Sequence, residues 1–319
     1  MREKLILCIL TTTVCSFNTS ADAQPAGKVA RIGLLQFQQV EGVAFLRQLK
    51  QMGYSEGRNI SLEYRWADGQ HDLLPTLAAD LVRLKVDVIV ANGPTAIGPA
   101  IKATKTIPIV MVSGGDPVNR GFVQSLSRPG GNVTGLSSDN AEVSGKRLEL
   151  LKETLPFITR VALLNPEHRR PDRIGEYNRV AAKLGISIHS FAVDTSRDLE
   201  PALVRIAMMH PDALITVLHN LTVNHSGLIA EFALNHRLPS MHGAEQFVRG
   251  GGLMSYGIDY TESWRRAAVF VDKILKGTNP ASLPVEPTQL KFAINLKTAK
   301  RIGVTIPPEI LLEANEVIR

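Results

Sequence analysis

The sequence predicts an α/β protein built as two doubly wound lobes. Three observations predict it. Short apolar runs alternate with amphipathic stretches from Val29 nearly to the C-terminus, the pattern of strands alternating with helices in a parallel sheet. Two of the runs, Val86–Ala91 and Ile107–Val112, pass straight into polar Gly/Pro loops, ANGPT and SGGDPV. The chain of 319 residues is long enough for two lobes of about 150 residues, each with its own core.

The N-terminus reads as a secretory signal peptide spanning residues 1–23. Arg2 and Lys4 form a basic start, Leu5–Val14 is mostly apolar, and Ala21-Asp22-Ala23 is a small-residue cleavage site. Both cysteines, Cys8 and Cys15, fall inside this segment, so the mature chain beginning at Gln24 has none. That suits export and excludes thiolate metal sites and cysteine nucleophiles. No later apolar run reaches membrane-spanning length. The net charge of +6 comes from Lys and Arg dispersed over amphipathic helices, a solvated basic surface and not a nucleic-acid footprint.

Val29–Leu35 is a strand, and Val43–Met52 a helix stopped by Gly53. Ile60–Trp66 alternates as a strand. Leu73, Leu77, Leu81 and Leu84 put one apolar stripe on a helix. The two strand–loop units follow, each with a helix expected after its loop. Pro129-Gly130-Gly131-Asn132 is a turn. Asp139 and Glu142 have capping-box spacing for a helix over Glu142–Leu155. The second set comprises strands Arg160–Leu164, Ile186–Val193, Ala213–Val217 and Pro239–His242, with helices Ile174–Leu184, Leu199–Met209 and Val223–His236. Gly250–Gly252 precedes a strand, Leu253–Tyr256, and the helix Tyr260–Leu275. Strand Leu290–Ile294 and two helices end the chain.

Enzymatic signatures are missing. The sequence has no G-x-G-x-x-G, Walker loop or G-x-S-x-G, and no two of its 8 His stand at i, i+4. Neither a cofactor nor a metal is expected, and the chemistry points to binding. Ligands of parallel sheets bind beyond the carboxyl ends of the strands. The candidate ligand-binding residues are therefore loop residues. Asp116, between Gly115 and Pro117, reads as an acceptor for an ammonium group or as a turn-forming residue. Asn92 and Thr95 stand in the preceding loop, where Thr95 also suits a helix N-cap. Ser113 adds a hydroxyl. Tyr256 walls in an apolar ligand or packs in the core, and Asp259 follows it. His168 stands in the loop after the first strand of the second lobe.

Four segments carry a resemblance that covers most of the mature chain. They are KATKTIPIVMVSGGDPVNRGFVQSLSRPGGNVTG, GKRLELLKETLP, GGGLMSYGIDY with RRAAVFVDKILKGTNPASLPVEPT, and KFAINLKTAKRIGVTIPPEILLEANEVI. With these the chain resembles the substrate-binding proteins of bacterial ABC transporters, in the branch associated with tryptophan and other aromatic amino acids. The resemblance implies a type I periplasmic binding fold, two Rossmann-like lobes joined by three crossover strands. It places those crossovers near Thr134–Ser138, Leu253–Gly257 and Pro287–Phe292, and the lobes at 28–136 with 256–288 and at 137–255 with 289–319. It adds Gln36 to the cleft residues. It further implies a monomeric periplasmic protein that gives a small polar solute, an amino acid or related compound, to an ABC permease in the inner membrane. A ligand-binding subunit of a periplasmic sensor is the other reading. The loop at His168, Arg169 and Arg170 is more basic than the family pattern and favours an acidic ligand.

Overall fold

The computed structural model describes residues 29–39, 42–138, 141–166 and 171–319. The chain first lays down β1 (Ala30–Gln36), β2 (Ile60–Trp66), β3 (Val88–Asn92), β4 (Ile109–Met111) and β5 (Val133–Ser137), with helices α1 (Val43–Gln51), α2 (Leu74–Arg83) and α3 (Pro94–Ala103) between them. It then builds a second unit from β6 (Arg160–Asn165), β7 (Ser187–Ala192), β8 (Ala213–Thr216), β9 (Ser240–His242) and β10 (Met254–Ile258). The helices of that unit are α4 (Ala141–Thr154), α5 (Pro171–Leu184), α6 (Ser196–Met209), α7 (Asn220–Asn224), α8 (Ser226–Asn235) and α9 (Glu245–Arg249). Helix α10 (Tyr260–Leu275) and β11 (Glu286–Pro287) return to the first unit. The chain ends with β12 (Leu290–Asn295), α11 (Leu296–Ile302), α12 (Pro308–Glu313) and β13 (Glu316–Ile318) in the second.

Two sheets result, ordered β11-β5-β4-β3-β1-β2 and β13-β12-β10-β9-β8-β6-β7. Every pairing is parallel except β10 with β12. Both faces of each sheet are buried, as parallel strands require. In the first sheet Ile32, Leu34, Val88 and Val90 pack with Phe45, Trp264 and Phe270 on one side. Their neighbours Leu35, Ile89 and Ala91 pack with Leu74, Leu81 and Ile97 on the other. The second sheet repeats this two-residue alternation. Val161 and Leu163 face Leu148, Leu151 and Tyr177, whereas Ala162 and Leu164 face Leu199, Ile206 and Phe247. The architecture is the α/β fold of two Rossmann-like lobes that the alternation predicts.

The chain passes between the sheets three times: after Ser138, at Ile258–Asp259 and at Thr288–Gln289. These passages are bound to one another. The Thr288 N–H donates to the Ser137 carbonyl (2.8 Å) and the Asp259 N–H donates to the Gln289 carbonyl (2.9 Å).

Four expectations need correction or completion. The loop SGGDPV is not followed by a helix; residues 114–132 form turns. The Asp116 carbonyl accepts from the Arg120 N–H (3.2 Å), but Pro117, Gly121 and Pro129 prevent propagation beyond a turn. The stretch Val223–His236 is two helices, α7 and α8, which meet at His225 in a non-helical conformation. Asn224, His225, Ser226 and Gly227 are poor helix formers, and the His225 ring is hydrogen bonded sideways to Ser196 Oγ (3.1 Å). Helix α9 and strand β13 are additions. Both are too short to show a period, and ion pairs of Lys291 with Glu245 and Glu316 (2.7 Å each) tie them together. The signal peptide and the capping box at Asp139 and Glu142 lie outside the described residues and side chains.

Gly135 sits mid-strand in β5 with φ +122°, and a Cβ there would stand 2.3 Å from the Met111 carbonyl oxygen. The close approach is to backbone in the neighbouring strand, which cannot rotate away. Gly135→Ala is expected to cost about 3 kcal/mol. Urea unfolding checks this, a fall in midpoint with an unchanged slope being the expected result.

Candidate ligand-binding cleft

The parallel register brings one set of strand ends together. Gln36 pairs with Asn92, and Ala91 with Met111, so the loops leaving β1, β3 and β4 open along one edge. The loops leaving β8 and β9 face them from the second sheet. Between them lies a cleft of about 990 Å³. Gln36, Phe37, Asn92, Thr95, Ser113 and Arg120 line it from the first lobe, Leu218, His219, Ala244 and Gln246 from the second, and Ile258, Tyr260 and Thr261 from the second passage. A smaller hollow of about 380 Å³ at Arg31, Arg83 and Asp87 lies at the other ends of β1 and β3, where no such loops converge.

Asn92 closes β3, and its Oδ1 is buried without a partner. Thr95 is the second residue of α3, whose first residue is Pro94. Pro suits that position because its fixed φ is helical and its missing N–H would have no partner there. Ser113 is held by the first passage. Its Oγ donates to Ser138 Oγ (2.8 Å), which also accepts the Gly115 N–H (2.8 Å). The Ser138 N–H in turn donates to the Gly115 carbonyl (2.9 Å). This double tie fixes the loop after β4 to the point where the chain leaves the first lobe.

The cleft lining does not include Asp116, Tyr256 or Asp259. The Asp116 carboxylate is taken up in its own turn, accepting from the Asn119 N–H (3.0 Å) and from the Asn119 amide. The Tyr256 ring packs edge-on against Phe292, centroids 6.2 Å apart, beside the second-lobe core. Asp259 caps α10, its Oδ1 accepting from the Glu262 N–H (2.9 Å). His168, with Arg169 and Arg170, lies outside the described residues.

Other cleft residues carried no signal in the sequence. Trp264 lines the cleft from α10; it is buried, packs edge-on to Phe45 at 6.0 Å, and its Nε1 has no partner. Its place depends on α10 returning to the first sheet, which periodicity does not show. Arg47 and Arg120 looked like ordinary surface charge. Gln246 belongs to α9, and the Lys291–Glu245 ion pair fixes that helix.

Behind the second-lobe wall is a buried polar cluster. His242 is fully buried, with Nδ1 2.9 Å from Thr216 Oγ1 and its ring stacked on Phe247 at 4.5 Å. Arg147, also buried, donates from Nε to the Tyr256 carbonyl (2.6 Å) and from Nη1 to the Tyr177 hydroxyl (3.3 Å). Burial, and secondly the Arg147 charge, push the His242 pKa from 6.5 down to about 3, so the ring is neutral. Gly257 completes the packing: a Cβ there would stand 2.0 Å from the Gly243 carbonyl oxygen, so β10 lies directly against the loop that carries Ala244.

Among the described residues no group of three or more His, Cys, Asp or Glu is placed to hold a metal, and no helix is long and apolar enough to cross a membrane. The family model for ABC transporter substrate binding proteins matches residues 36–318. The chain belongs to this family. This substrate-binding protein is 27% identical over 313 residues to the tyrosine-binding protein of Clostridioides difficile (strain R20291), covering 94% of this chain and 90% of that one. Its structure is similar to a conserved domain protein of Vibrio cholerae (29% identity, TM-score 0.81, 91% of this chain and 100% of that one). It is also similar to an ABC domain from Streptococcus pneumoniae in complex with L-Trp (27% identity, TM-score 0.80, 91% and 99%).

Because the folded pKa of His242 lies below the unfolded value, the unfolded chain takes up the proton first as pH falls. Its contribution to stability is complete above about pH 6.5 and is lost progressively toward pH 3. At pH 5 the loss is expected to be roughly 2 kcal/mol. In His242→Gln the dependence of stability on pH between 7 and 5 should flatten; a slope equal to the parent's would place the titration elsewhere.

Proposed function

We propose that this protein captures a small polar solute, an amino acid or related compound, between its lobes in the periplasm and delivers it to an ABC permease in the inner membrane. The observation that carries the reading is the cleft itself, which both lobes and one passage between them line. A solute touching both walls favours the closed arrangement by as much as its contacts differ between the open and closed states. The three passages, bound side by side, are the hinge about which the lobes move. Closure buries the ligand and gives the permease a surface that the empty protein does not present.

The cleft chemistry suits such a solute. Phe37, Leu74, Leu218 and Ile258 supply apolar wall; Asn92, Ser113, Gln246 and Thr261 supply polar groups. Micromolar affinity requires about −8 kcal/mol, within reach of a few charge-assisted bonds plus apolar burial. The tyrosine-binding and L-Trp-complexed relatives support an amino acid or a close chemical neighbour. The signal peptide read from the sequence supports the periplasm, and a free monomer suits shuttling to a permease.

Native mass spectrometry of freshly purified protein is expected to show one small molecule per chain, released on gentle activation. No adduct, and no binding across amino acids, carboxylates and sugars by calorimetry, would sink the reading. Asn92→Ala gives a finer test. Its Oδ1 has no hydrogen-bond partner within the protein, so the substitution should leave stability within about 1 kcal/mol of the parent while weakening solute binding by roughly tenfold. Equal affinity in the variant would remove Asn92 from the site.

A further inference from the structure

We propose that the cleft selects a net-negative solute: an acid with an apolar body, held by its carboxylate and not recognised through an ammonium group. This rests on the capture reading and names its solute class. The charged and titratable side chains among the described lining residues are Arg47, Arg120, His71, His219 and Tyr260, and no Asp or Glu is among them. Of the described carboxylates that directly flank lining residues in the sequence, Asp116 is engaged with Asn119, Asp259 with the start of α10, Glu245 with Lys291 and Glu262 with Arg265, while Asp72 is exposed beside His71.

The arginines are placed to act. Arg120 lies across the glycine loop after β4; its Nε and Pro94 Cγ would each stand 3.1 Å from a Cβ on Gly115. That puts the guanidinium beside the beginning of α3. Arg47 reaches the cleft from α1. Among the described residues neither guanidinium is paired with a carboxylate, whereas Arg65 is paired with Glu63 and Asp80, and Arg266 with Glu286. A carboxylate entering the cleft offers Arg the two-pronged, charge-assisted hydrogen bonding that its planar fork favours. As the lobes close and water leaves, that attraction strengthens. An ammonium group entering the same space meets, among the described lining residues, cations and no carboxylate. The unpartnered Asn92 Oδ1 can accept one hydrogen bond, enough for an indole or amide N–H or a hydroxyl and too little to neutralise a cation.

Calorimetry of the full mature chain with indole-3-propionate, L-tryptophan and tryptamine tests this, since the three share a ring system and differ in charge. The acid is expected to bind at least tenfold more tightly than the amino acid, and the amine not measurably. Arg120→Gln and Arg47→Gln should each weaken the acid at least fivefold, and Arg120→Lys, which keeps the charge and loses the fork, should fall between Arg120→Gln and the parent. L-tryptophan binding as tightly as the acid, or both Gln variants matching the parent, overturns the proposal and leaves solute capture standing. If none of the three binds, the solute released in native mass spectrometry decides: an anion supports the proposal, a neutral or cationic compound overturns it. A protein that takes up no solute at all removes the capture reading and this one with it.

Discussion

Parallel strand pairing in register is the constraint on which everything else here depends. Once Gln36 stands opposite Asn92 and Ala91 opposite Met111, the chain has to leave β1, β3 and β4 at one edge. The loops that do so carry no regular hydrogen bonding of their own, so their polar groups are available to a ligand or to each other. Parallel strands also need covering on both faces. That is why α10, far along the chain, comes back to the first sheet and brings Trp264 to the cleft.

The same constraint explains how much of the molecule was legible in its sequence. Strand β2 and helix α10 were readable to the residue, because alternation over Ile60–Trp66 and a helical stripe over Tyr260–Leu275 each run long enough to show a period. The helix expected after SGGDPV failed because an apolar count cannot outweigh three closely spaced breakers. Strand β13 was invisible: three residues have no period, and its place is set by Lys291 and Arg249 reaching Glu316.

For the site, strand-end position was the readable part. Gln36, Asn92, Thr95 and Ser113 line the cleft because each follows or ends a parallel strand. What the sequence alone left open was whether a carboxylate in such a loop faces solvent, ligand or its own backbone. Asp116 and Asp259 both chose the backbone, each with a partner three residues on. Trp264, Arg47 and Arg120 were not readable as cleft residues, since their arrival depends on how helices pack against the sheet and on nothing in their immediate neighbours.

The two hydrogen bonds that join the three passages have a mechanical consequence. Ser137 to Thr288 and Gln289 to Asp259 turn three separate tethers into one narrow ribbon. Tethers tied in this way bend as a unit, so bending is one coordinate that all three share. Motion along it carries Ser138 and the Ser113 loop together, through their mutual hydrogen bonds. A shift of the strand end at Ser138 and an adjustment of one cleft wall are thereby the same event.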